Sequence, residues 1–194
     1  EGIMHVVCLK GSPRTGGNSS ALADALCARV REKGADVRSW NLNELQYRGC
    51  QACYKCKTEL ETCALKDDLT HVLNAVRVCD VLVLATPVYF GEVSAQTKGF
   101  IDRTFSFLKP NFQSEDQPGR LEPGKRLVFI QAQANPDRNE YADIYPRYST
   151  FLMYEGFRES EILRACGYQG PGEAARDEDL LQHVEELAEK VLTP

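Results

Sequence analysis

The sequence predicts an α/β fold: a doubly wound, five-stranded parallel sheet with helices on both faces, in three layers. Three observations predict it. Short apolar segments alternate with segments of helical spacing along the chain, the pattern that builds a parallel sheet through helical crossovers. The clearest apolar segment, DVLVLAT at 80–86, is hydrophobic almost throughout, as strands covered on both faces are. Polar or glycine-bearing loops follow the first, third and fourth strand segments, and such sheets bind ligands outside the carboxyl ends of their strands.

The elements follow in order. Residues 5–10 (HVVCLK) form a short apolar run ending at Gly11, a buried strand. Leu22, Ala23, Leu26, Ala28 and Val30 recur at helical spacing within 19–33. Residues 37–42 (VRSWNL) read as the second strand, and a cysteine-rich loop over 48–66 follows. A helix over 67–78 opens with Asp67 and Asp68, which favour a positive helix N-terminus. After the strand at 80–86, Ser94 caps a helix over 94–108. Asp116, Gln117, Pro118 and Gly119 mark a polar loop before a fourth strand at 126–132. A helix over 139–156 carries Pro146 near its middle as a weak point. A fifth strand at 159–166 and a helix over 177–193 complete the series.

The 194 residues suit one domain, taken as 4–194. Met4 reads as the natural start, with residues 1–3 an expression remnant. The 43% hydrophobic and 26% charged composition fits a soluble core-forming chain, and no apolar run approaches the roughly 20 residues of a membrane span. A net charge of −5 argues against a nucleic-acid-binding surface. Without a signal peptide at its start, the chain is expected in a reducing cytoplasm, which makes disulfides the weakest use of its eight cysteines.

Three loops and one cysteine run carry the chemistry. The first loop, GSPRTGGNSS at 11–20, joins three glycines to Ser12, Thr15, Asn18, Ser19 and Ser20 at a helix start. Backbone N–H groups, short hydroxyl donors and the Arg14 fork make it a phosphate cradle. It has neither the Gly-Lys-Ser/Thr of a nucleoside-triphosphate loop nor the dinucleotide fingerprint. In the second loop Pro87 stiffens a turn, Tyr89 and Phe90 supply aromatic surface, and Gly91 allows a flat ligand to approach the backbone. The third, Gln131 to Pro136, is polar and able to hydrogen-bond the rim of such a ligand. Lys98 and Asp102, four apart on a helix, read as an ion pair. Cys50, Cys53, Cys56 and Cys63 form C-x2-C-x2-C-x6-C, a compact run suited to a [4Fe–4S] cluster; zinc or no metal also stays open. Cys8, Cys27, Cys79 and Cys166 read as small core residues.

GSPRTGGNSSAL and TPVYFGEVSAQTKGFIDRT resemble the corresponding segments of the flavodoxin-like NAD(P)H-dependent FMN reductases. The resemblance implies strand order 2-1-3-4-5 and an FMN cofactor. It implies that Ser12, Arg14, Asn18, Ser19 and Ser20 hold the FMN phosphate, and that Pro87, Val88, Tyr89, Phe90 and Gly91 contact the flavin. With the cysteine run between the second strand and third helix, the chain is similar to the iron-sulfur flavoproteins. That likeness implies that the four cysteines ligate [4Fe–4S], that NAD(P)H or ferredoxin donates electrons, and that the protein is a homo-oligomer, a dimer or tetramer. No proline follows the fourth cysteine, unlike the bacterial ferredoxin run, and some FMN reductases keep a similar run. The alternatives are an FMN or quinone reductase without a cluster, and a flavin electron shuttle that is not an enzyme.

Overall fold

A computed structural model describes residues 2–193. Its centre is a parallel sheet of β1 (His5–Lys10), β2 (Asp36–Asn41), β3 (Val81–Tyr89), β5 (Lys125–Gln133) and β6 (Phe157–Cys166), in the order β2-β1-β3-β5-β6. A two-residue strand, β4 (Glu92–Val93), adds to β3 as an antiparallel hairpin. The five long strands follow the predicted order.

Alternation along each strand decides the layers. Val6 and Cys8 of β1, Val81 and Val83 of β3, and Val128 and Ile130 of β5 point to one face. There they pack on α1 (Asn18–Glu32) and α6 (Glu178–Leu192). Val7 and Leu9, Leu82 and Leu84, and Leu127 and Phe129 point to the other. They meet α3 (Leu69–Val78), α4 (Ala95–Thr104) and α5 (Ile144–Glu155). A short helix, α2 (Lys55–Thr58), lies within the cysteine-rich segment. Each fully buried Leu or Phe in these clusters contributes about 1.5–3 kcal/mol, so the sheet is fixed between two apolar layers.

Four details depart from expectation. β3 continues through Pro87 to Tyr89, with Pro87 in register with Ala132. Pro87 is therefore a strand residue, and the turn is at Phe90 and Gly91. Pro146 lies in the first turn of α5, where its missing N–H has no intrahelical partner to lose. The helix predicted to open at Asp67 begins at Leu69, because the two acids are engaged elsewhere: Asp67 with Arg103, and Asp68 with the backbone N–H of Gln46. The helix predicted over 94–108 becomes α4 and a 3-10 turn at Phe105–Phe107, and Ser94 caps it by accepting from Thr97 N.

Candidate functional site

Strand order reverses between β1 and β3, since β2 lies to one side of β1 and β5 beyond β3. The crevice at this switch point is where open parallel sheets bind ligands. Two contacts close it around the first loop: Gly11 N–H donates to Ala85 O at 2.8 Å, and Ser94 Oγ donates to Gly11 O at 2.7 Å. A Cβ on Gly11 would sit 1.8 Å from Thr97 Oγ1, so this approach requires glycine.

The N-terminus of α1 receives no side-chain cap. Ser12 and Ser19 are buried beside it, and the buried Ser19 hydroxyl has no hydrogen-bond partner. Uncapped N–H groups, the helix dipole and an orphaned hydroxyl fit a phosphate. Ser20 is half-buried on the same turn. The other two predicted phosphate residues turn away. Arg14 Nη1 donates to Gln169 O at 2.6 Å. Asn18 Nδ2 donates to Gly170 O at 3.0 Å, and its Oδ1 accepts from Ala174 N–H at 3.0 Å. Both side chains fasten the loop after β6 to the cradle.

At the end of β3, Thr86 is buried, and its Oγ1 accepts from Ser94 N–H at 3.1 Å. The hairpin then turns at Phe90 (φ 52°) and Gly91 (φ 81°), the paired positive φ values that tight two-residue hairpins need. Pro87 and Val88 are half-buried, Tyr89 is 45% exposed, and Phe90 is wholly exposed at the tip. Glu92 anchors the hairpin to α5 through Arg147 at 2.7 Å. These residues offer a backbone edge and an exposed aromatic surface to a flat ring. In the third loop, Gln131 and Gln133 turn inward instead: Gln131 Nε2 donates to Tyr141 O at 3.0 Å, and Gln133 Nε2 donates to Asp137 O at 3.0 Å. They brace the loop rather than its rim, although Gln131 Oε1 keeps no partner.

The cysteine run borders the C-terminal end of α4 at Arg103. Tyr47 packs on Gly99, where a Cβ would come within 3.1 Å of its ring. Its hydroxyl donates to Gln96 O at 2.6 Å. Ala52 (φ 50°) and Tyr54 (φ 56°) adopt left-handed backbone, unusual for residues with side chains, and coil the run tightly. Cys50, Cys53, Cys56 and Cys63 all border one small recess closed by Arg103 and Phe105. Sulfur acceptors are served: Ala52 N–H donates to Cys50 Sγ at 3.4 Å, Lys57 Nζ to Cys56 Sγ at 3.6 Å, and Arg103 Nε to Cys63 Sγ at 3.0 Å. Four thiols with N–H and cationic donors on three sulfurs fit a thiolate-bound cluster in donor chemistry. Cys50 and Cys53 are exposed, however, and among the described residues no three His, Cys, Asp or Glu side chains gather around a metal position.

Arg103 escaped the sequence reading. Its side chain is fully buried and donates to both Asp67 oxygens, at 2.8 and 3.2 Å, and to Arg48 O at 2.8 Å. Burial alone would raise the Asp67 carboxyl, but Arg103 and the N–H groups of Arg48 and Leu69 outweigh it and hold it below the usual carboxylate range. The available signal was position: Arg103 follows Phe100 by three residues on the buried face of α4. Cys8, Cys27 and Cys79 are buried core residues, as expected, and Cys166 is half-buried. Lys98 and Asp102 form the expected ion pair.

A family model described as "Flavodoxin-like fold" matches residues 4–191. The chain is 27% identical over 194 residues to an iron-sulfur flavoprotein of Methanocaldococcus jannaschii, covering 97% of this chain and 95% of that protein. It is 34% identical over 104 residues to an iron-sulfur flavoprotein of Archaeoglobus fulgidus, covering 54% of this chain and about half, 47%, of the relative. Among solved structures, an FMN-dependent NADH-azoreductase of Bacillus anthracis in complex with FMN superposes with a TM-score of 0.74 at 16% identity. That match covers 97% of this chain and 100% of the azoreductase, and at this identity it speaks for the fold.

Proposed function

The chain belongs to the flavodoxin-like fold family, and from that premise we propose that it is an FMN-dependent oxidoreductase whose four clustered cysteines hold a [4Fe–4S] cluster. The observation that carries the flavin is the buried, unpartnered Ser19 hydroxyl at the uncapped start of α1, at the switch point of the sheet. Ser12, Ser19, Ser20 and the first N–H groups of α1 bind the phosphate. Arg14 and Asn18 hold the cradle's shape from behind. Pro87, Val88, Tyr89, Phe90 and Gly91 line the ring.

FMN, when bound, takes up an electron pair or hydride and can release electrons singly to a cluster. The residues of this chain position both groups and tune them. Arg103 and Lys57 direct positive charge at two cysteine sulfurs, which favours the more reduced, more negative state of a cluster there. NAD(P)H or a redox protein such as ferredoxin supplies the electrons.

A second reading omits the cluster and leaves an NAD(P)H-dependent FMN or quinone reductase. The exposed, ungathered Cys50 and Cys53 favour it. Purification without oxygen, followed by a visible spectrum with iron and sulfide analysis, separates the two. Flavin bands over a broad shoulder with about four iron atoms per chain support the first reading. Flavin bands without iron leave the second. A colourless protein after gentle purification sinks both. FMN that binds without turnover by any donor would make the chain an electron shuttle.

We further propose a homo-oligomer. Its support is a groove of about 1250 Å³ beside the cysteine run, where Phe151, Met153 and Tyr154 of α5 expose large apolar surface. A second copy is the occupant that this family likeness and apolar surface suit.

A further inference from the structure

A cationic recess lies behind the cysteine run, away from the phosphate cradle. It encloses about 640 Å³ between residues 57–61, α3 and the segments around Lys109 and Arg120. Lys57, Arg77, Lys109 and Arg120 line it, against two acids, Glu59 and Glu61. The chain as a whole has 28 acidic residues to 23 basic ones, so carboxylates are not scarce. Yet among the described residues Lys57, Arg77 and Arg120 enter no salt bridge.

Apart from the contact of Lys57 with Cys56 Sγ, their hydrogen bonds go to neutral carbonyls. Arg77 Nη2 donates to Glu61 O at 2.5 Å, Arg120 Nη2 to Cys56 O at 3.1 Å, and Lys57 Nζ to Phe105 O at 2.6 Å and Leu108 O at 2.8 Å. A carbonyl fixes a cation in place without neutralising it. Aromatic faces fix two of them further: the Arg77 guanidinium stands 5.2 Å from the Phe107 centroid, and Lys57 Nζ 4.1 Å from that of Phe105. Burial, and then the positive charge of Arg120, hold Arg77 below its ordinary value, so the two guanidiniums repel each other. Lys109 is paired with Glu115 at 3.7 Å, but Arg77 and Arg120, held by neutral carbonyls in a half-buried concavity, leave their charge available to an incoming anion.

We propose that this recess binds a small phosphate-bearing anion, with Arg77 and Arg120 as its principal ligands and Lys57 and Lys109 in support. Two forked guanidiniums match the charge and geometry of a phosphate or diphosphate better than those of a monovalent carboxylate. The lining segment, residues 57–61, connects Cys56 to Cys63, so an occupant would brace the cysteine run from behind. The inference does not depend on which cofactor the cysteines hold.

The test is calorimetric titration of inorganic pyrophosphate into FMN-loaded protein at low ionic strength, with α1's cradle already filled. Saturable binding of one pyrophosphate per chain is expected, at least tenfold weaker in Arg77→Gln and in Arg120→Gln. Ser19→Ala should leave this affinity unchanged, which separates the recess from the cradle even if FMN binding fails. No saturable binding, parental affinity in either arginine variant, or loss in Ser19→Ala would overturn the proposal. Should Arg77→Gln fold poorly by thermal melting, Arg77→Lys keeps the charge without the fork; it should bind several-fold more weakly, and equal affinity counts against the site.

Discussion

Two buried ionisable side chains act in opposite ways on stability. Arg103 is a fully buried cation satisfied by Asp67, Cys63 Sγ and two carbonyls. Arg103→Met would strand Asp67 without its partner and should cost about 3–5 kcal/mol in denaturant unfolding. Asp67 has its carboxyl lowered in the folded state, so it adds stability above the ordinary carboxylate range, and that stability is lost as pH falls through its folded value. Glu155 is the reverse case. Burial pushes its carboxyl well above the ordinary value, while the Thr104 hydroxyl donating at 2.7 Å and the charge of Lys57 pull only partly against this. The folded state therefore holds the proton more tightly, and stability declines as pH rises from about 4.5 toward the raised folded value. Glu155→Gln should melt higher than the parent at pH 8 and lose the difference at pH 4. An unchanged pH dependence in the variant would show that Glu155 does not set it. Neither residue announced itself in the sequence, because burial of a charge depends on which distant segments meet around it. Arg103 needs Asp67 and Cys63 brought to α4, thirty-six and forty residues away in sequence.

At the scale of elements, local chemistry was legible where a pattern repeats or a turn has strict needs. The apolar runs at 80–86 and 126–132 became the central strands because their alternate residues meet two apolar layers. Ser94 capped its helix as its type predicts. Errors fell where tertiary contacts override local preference. Pro87 joined a strand whose pairing partner β5 supplied the register, and Pro146 moved to a helix start because residues 139–143 form turns instead. The meeting of glycines and short donors at the start of α1 was legible in residues 11–20. The capture of Arg14 and Asn18 by a loop 150 residues onward was not. The β3–β4 hairpin offers a test at this scale. Gly91→Ala places a Cβ on a backbone with φ 81° and should destabilise by about 1 kcal/mol, read from thermal melts. Phe90→Asn suits the same positive φ and should leave stability equal or higher, while weakening FMN binding measured by fluorescence quenching. Unaltered FMN affinity would remove Phe90 from the flavin contacts.

For the whole molecule, the predictions concern what it binds and how many copies associate. Ser19→Ala removes the orphaned hydroxyl and should weaken FMN roughly tenfold without lowering the melting point of the apoprotein, since that hydroxyl bonds nothing in the fold. Cys53→Ala should abolish bound iron while leaving FMN at one per chain; unchanged iron would disprove ligation by this residue. Sedimentation should find a dimer or tetramer, and charged residues introduced at Phe151 and Tyr154 should shift it to a monomer. A monomer before substitution would contradict the assembly. No helix among the described residues is long and apolar enough to cross a membrane.

The loop following β6 has a further consequence. Through Arg14 and Asn18 it grips the cradle, and through the Tyr168 hydroxyl, 2.7 Å from Asp177, it is tied to the residue that caps α6. The first and last thirds of the chain thus share one clasp. A protease that cuts between Gly167 and Glu173 should release flavin before the sheet unravels, and bound FMN should slow that cut.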